Sequence, residues 1–254
     1  MSFCELLTIE FIKVKRSKIM PLIFIAPLLV VASGVASLQR YLTPEYTHAW
    51  AAMFIQSALL YAYYLLPLSM IIVCVMIAGR ETAHNGMLKM LALPINRYAL
   101  SAAKFCVLLF YLLMEVVVFF IVFVVAGLIA AGSTGMSETL PVLYLVHWCC
   151  VLFVTMVPSL AAMWAITVLF EKPLASIGLN ILLVIPGVLA ANTPLWVVYP
   201  YCYSGYVVSR ALHAAGVMGA GDGVPLFPFV LCAFVISAVA LWVAIMRFGR
   251  KEMR

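Results

Sequence analysis

The chain has 254 residues, 67% of them hydrophobic and only 9% charged, whereas soluble globular domains carry about 25% charged residues. That composition excludes a soluble fold. The net charge of +6 follows from orientation in a membrane, as set out below, so no nucleic acid partner is expected. Apolar runs of about 20 residues match a hydrocarbon core about 30 Å thick, and their lack of strict alternation selects helices over a β-barrel. The predicted fold is an all-α polytopic membrane protein, one transmembrane domain over residues 1–254.

Residues 1–18 form the first element. On a helical wheel Phe3, Leu6, Leu7, Phe11 and Val14 share a face, with Glu5, Thr8, Lys15 and Arg16 opposite. Glu10 falls on the apolar side and spoils the pattern. Such a helix is expected to lie flat at the inner membrane surface; the alternative is a basic leader that only sets topology. Six spans follow, at Ile19–Ser37, Ala49–Gly79, Phe105–Ala131, Leu140–Phe170, Pro173–Ala191 and Pro225–Met246. The small residues Ala32, Ser33 and Gly34 lie within the first apolar run, so it is expected to stay as an anchor rather than be cleaved. Pro67 and Pro158 are predicted to kink the second and fourth spans.

Thirteen of the fifteen Lys and Arg residues fall before span one, between spans two and three, after span four, or at the C-terminus; Arg40 and Arg210 fall on the other side. The positive-inside rule then places both termini in the cytosol. An even number of spans requires the termini to share a side, so count and charge agree.

Reactive constellations are missing. There is no phosphate-binding G-x-x-x-x-G-K-[ST], no H-E-x-x-H and no G-x-S-x-G. His48, His84, His147 and His213 are scattered, and the seven cysteines lie mostly within apolar runs, where they serve as small packing residues. No catalytic residue, metal or bound cofactor is expected on this chain.

Glu115 is the one acid inside a span, roughly 15 Å from its start at a helical rise. It either contacts a cationic substrate or relays protons, or it makes an interhelical hydrogen bond to Gln56, His147 or Asn180. The external segment 192–224 holds Trp196, Tyr199, Tyr201, Tyr203 and Tyr206 with Pro194 and Pro200. Aromatic residues favour the membrane–water interface, and the prolines predict short helices before span six. Glu115, Gln56, Trp196, Tyr199 and Tyr203 are the substrate-path candidates.

Residues 80–104 are the long polar stretch between spans two and three. From Glu81 to Leu91, Ala83, Met87, Leu88, Met90 and Leu91 cluster on one half of a helix, with Glu81, Thr82, Asn85, Gly86 and Lys89 on the other. Pro94 stops that helix and Asn96 suits the N-cap of the next. Two helices joined to spans two and three would carry a cytosolic displacement into the bundle; a solvated basic loop that only enforces topology is the alternative.

At this loop the chain resembles the permeases of the ABC-2 exporter superfamily, most of all the branch serving lantibiotic immunity and peptide-antibiotic resistance. The matching residues are Glu81, Asn85-Gly86, Lys89, Leu91, Pro94-Ile95-Asn96-Arg97 and Lys104. Met87 stands where a small polar residue is more usual. The resemblance implies a permease of the bacterial cytoplasmic membrane, paired with a second permease and with two cytosolic ATPase subunits that hold ATP and magnesium. It makes residues 1–18 an elbow helix and the loop a coupling helix, with Arg80, Glu81, Asn85, Gly86, Lys89, Leu91, Pro94, Arg97 and Lys104 as ATPase-coupling residues. It implies an amphipathic, often cationic peptide as cargo taken from membrane lipid. An exporter of another lipid-like or drug-like substrate, or a non-transporting sensor or scaffold, is the alternative.

Overall fold

Backbone N–H and C=O groups have no water to bond within a bilayer, so an apolar chain satisfies them along its own helices. In a computed structural model, which describes residues 3–15, 19–36, 49–82, 96–134, 140–170, 172–212 and 226–250, every regular element is a helix. Helix α1 (Phe3–Lys15) precedes α2 (Ile19–Ala36). The second span is α3 (Ala49–Leu60), a π-helical turn (Tyr61–Leu65) and α4 (Leu66–Thr82). Then come α5 (Arg97–Thr134), α6 (Val142–Leu169), α7 (Pro173–Val184) and a short α8 (Gly187–Ala191). Two 3-10 turns (Pro194–Val198 and Pro200–Cys202) lead into α9 (Tyr203–Leu212), and α10 (Leu226–Gly249) follows.

Among the described residues, six helical segments are long and apolar enough to cross a membrane, which agrees with the six spans read from hydropathy. The core lies where the second span, α5 and α6 meet, around Tyr61, Phe119, Phe123, Leu152 and Trp164. Phe54 packs edge-on against Phe123, and Tyr61 stacks on Phe119 with centroids 4.5 Å apart. Helix α10 lies on α5 and α6 and leaves Phe227, Phe234 and Trp242 facing outward, as suits a helix bathed by lipid.

The two prolines expected to kink their spans behave differently. Pro158 sits inside a continuous α6. Pro67 follows directly on the π-turn, where the Leu66 N–H reaches back five residues to the Tyr61 carbonyl. In that register the Ala62 carbonyl would look to residue 67 for its donor, and proline has none. Pro186 ends α7 near the end of span five, a break that hydropathy did not foresee.

Both ends of the described chain meet at one end of the bundle. Helix α1 packs on the start of α5, with the Phe11 and Phe110 rings 5.0 Å apart. At the end of α10, a side chain on Gly249 would meet the Tyr98 ring, one residue into α5.

Candidate coupling site and outer cap

Glu10 is the residue that disturbed the apolar face of α1, and the structure shows why it is there. Its side chain is 2% exposed and accepts from Lys104 Nζ at 2.7 Å. Lys104 is equally buried, two turns into α5. A second contact, from Lys13 Nζ at 2.6 Å, is made at the surface. Burial pushes the Glu10 carboxyl up, but the two ammonium groups outweigh it and hold the pKa below the ordinary 4.5.

Arg80 clasps the other flank of α1. Its Nη1 donates to the Lys13 carbonyl at 2.7 Å. Lys13 lies in the last turn of α1, where carbonyls lack intrahelical partners and a cation suits the helix dipole. Arg80 sits near the end of α4 and Lys104 near the start of α5, so α1 is tied to both roots of the polar loop. Two expected ATPase-coupling residues, Arg80 and Lys104, thus have their partners within the chain.

Asn96 caps α5 as expected, accepting from the N–H of Tyr98 at 3.0 Å and of Ala99 at 3.4 Å. Arg97 opens that helix, partly exposed. Asn85, Gly86, Lys89, Leu91 and Pro94 lie outside the described residues, as does most of the predicted 81–91 helix. Glu81 falls within α4.

Glu115 is fully buried and accepts from Ser69 Oγ at 2.5 Å. The bond joins α5 to α4, so the interhelical hydrogen bond comes from Ser69 and not from the partners expected. Gln56 and His147 lie on exposed faces, and Asn180 instead accepts from the Tyr201 hydroxyl at 2.9 Å. Tyr61 Oη lies beside the Glu115 carboxyl, and among the described residues neither Tyr61 Oη nor Glu115 Oε2 has a partner in full hydrogen-bonding geometry. Hydropathy could not single out Ser69, because serines are common in apolar helices.

At the opposite end, the aromatic segment forms a cap. Trp196 stacks on Tyr206 with centroids 4.0 Å apart, and Phe229 of α10 meets both Trp196 and Tyr203. Tyr203 donates to the Val197 carbonyl at 2.5 Å, and Tyr199 to the Leu183 carbonyl. These three expected substrate-path residues therefore build the cap itself. The cap docks on the π-turn. Ser204 Oγ donates to the Ala62 carbonyl at 2.9 Å, supplying the donor that Pro67 lacks. Gly205 lets the backbone lie against Tyr63, whose ring a Cβ would strike.

The family model described as ABC-2 family transporter protein matches residues 6–187, well over half of the chain. The chain belongs to that family. No curated protein and no solved structure matches it. As an ABC-2 permease it is a multi-pass transmembrane subunit of an ABC transporter, and the family implies association with an ABC ATPase. The matched stretch contains Glu10, Arg80, Lys104 and Glu115 and stops before the cap. Among the described residues, no three His, Cys, Asp or Glu side chains gather as a metal site.

Proposed function

We propose that this ABC-2 permease exports a lantibiotic or similar amphipathic antimicrobial peptide across a bacterial cytoplasmic membrane and so confers immunity, with ATP and magnesium held on a partner ATPase. The observation that carries the mechanical part is the pair of ties from α1 to Arg80 and Lys104. An ATPase pushing on the 83–95 loop would displace α4 and α5 together with α1. Arg80 and Lys104 are then the fixings of that lever. Glu81, Asn85, Lys89 and Arg97 are the contacts a docked ATPase would grip. The charge distribution turns this end to the cytosol and the cap outward. Glu115, bonded to Ser69 and sealed from solvent, holds α4 against α5.

A second permease, identical or different, completes the pathway in this account. The peptide cargo is supported by the resemblance at Glu81 to Lys104 and by the interfacial aromatics of the cap. Two measurements test the proposal. The ATPase should co-purify with the permease, and its hydrolysis should respond to Glu81→Ala or Arg97→Ala. Cells carrying both proteins should retain less lantibiotic than cells lacking either; equal retention rejects the peptide cargo and leaves the family assignment standing. Stable binding to a kinase alone would favour a sensor.

A further inference from the structure

Beside the cap lies an open cavity of about 440 Å³, bounded by the Asn192–Pro194 turn, Trp196, Tyr206, Ser209 and Arg210. That volume is in the range of small-ligand sites. Its hydrogen-bonding groups are unevenly committed. Thr193 Oγ1 donates to the Ala190 carbonyl, Ser209 Oγ to the Tyr206 carbonyl and Asn192 Nδ2 to the Val188 carbonyl. Arg210 commits Nε to the Tyr206 hydroxyl at 3.0 Å, which among the described residues leaves most of the five N–H donors of a guanidinium. The guanidinium carbon also sits 5.3 Å from the Tyr206 ring centroid, so the group is held in place at the cavity. Among the described residues, no acid lines the cavity.

The surroundings are those of an amphiphile. Leu189, Leu195 and Val198, carried by the same elements as the cavity wall, are 72%, 69% and 65% exposed, and Phe227 at the start of α10 is 82% exposed. An anionic head in the cavity would therefore have apolar surface beside it for its tails. Arg210 is also one of two basic residues on the side that the positive-inside rule leaves poor in them.

We propose that this cavity binds a phosphate group carrying net negative charge, through the Arg210 guanidinium, and that an anionic phospholipid of the surrounding leaflet supplies it. The sign is opposite to that suited to a cationic peptide, so this is a lipid site on the cap, separate from the cargo. Guanidinium–phosphate pairs are bidentate and charge-assisted. The site rests on the cavity's own geometry and stands or falls independently of the peptide cargo.

The test uses the full chain, purified in a neutral detergent. Short-chain phosphatidylglycerol, short-chain phosphatidylcholine and inorganic phosphate are titrated while the melting temperature is followed. Phosphatidylglycerol should raise the melting temperature saturably, with phosphatidylcholine much weaker because its cationic group faces Arg210. Arg210→Gln should weaken the apparent affinity at least about tenfold, the scale of one charge-assisted hydrogen bond, and Arg210→Lys should keep most of it. Arg210→Gln must itself melt near the wild type; should it misfold, Tyr206→Phe, which frees the guanidinium from its tether, should weaken binding in the same direction. Inorganic phosphate giving the same Arg210-dependent shift would support the anion site while assigning it to a soluble ligand. Equal affinity of Arg210→Gln and wild type, or no preference for phosphatidylglycerol over phosphatidylcholine, overturns the proposal.

Discussion

Replacing Lys104 by Met, with Glu10 left in place, tests the tie between α1 and α5 directly. The pair has a separation of 2.7 Å and side chains only 2–3% exposed. Removing one partner leaves a carboxylate buried without its main counter-ion, a change that costs about 3–5 kcal/mol. For a chain of this size each kcal/mol moves the melting temperature by about 2–4 °C, so Lys104→Met should melt about 6–20 °C below the wild type. The double variant Glu10→Leu/Lys104→Met should recover most of that loss, because a packed apolar pair replaces a buried ionic one at little cost. The assay is thermal unfolding of the purified permease at neutral pH. Glu10 also sets a pH signature. Its pKa is depressed on folding, so the pair's contribution is whole above the ordinary value of 4.5 and disappears as pH falls through the depressed one. The pair's contribution to the wild-type melting temperature should be flat from pH 7 to about 4.5 and shrink below, whereas protonation relieves the unpaired buried carboxylate of Lys104→Met, so the gap between the two should already narrow as pH falls from 7. Single and double variants that all melt within about 2 °C of the wild type would refute the buried tie.

The docking of the cap on the π-turn predicts that Ser204→Ala strands the buried Ala62 carbonyl and costs about 1–3 kcal/mol, read as a lower melting temperature. Gly205→Ala should be worse, and Tyr63→Leu added to it should restore part of the loss, because the methyl then has room. Glu115→Gln keeps an oxygen that can accept from Ser69, so ATPase stimulation and transport should remain within about twofold of wild type; a loss above tenfold would assign Glu115 to the transport path. A cysteine at position 89 should react with impermeant thiol reagents only in opened cells or inverted vesicles. Labelling from outside intact cells would invert the orientation and remove the lever.

Hydropathy alone carries the number of spans and the helical class, because a bilayer forces apolar runs to satisfy their own backbones whatever their neighbours are. Charge asymmetry carries the expected orientation for a similar reason: it reports on each loop separately. The N-cap at Asn96 was legible too, since a cap is settled within three or four residues. Pairings between distant segments were not. Glu10 looked like a flaw in an amphipathic face until Lys104, 94 residues away, supplied its counter-ion. Ser69 and Ser204 looked like any serine, and their importance depends on which carbonyl or carboxyl a neighbouring helix presents. Pro67 was visible as a break, but the Ala62 carbonyl it leaves open gains meaning only once α9 lies across it. Such contacts depend on helix rotation and depth, which local periodicity leaves free and close packing of the whole bundle determines.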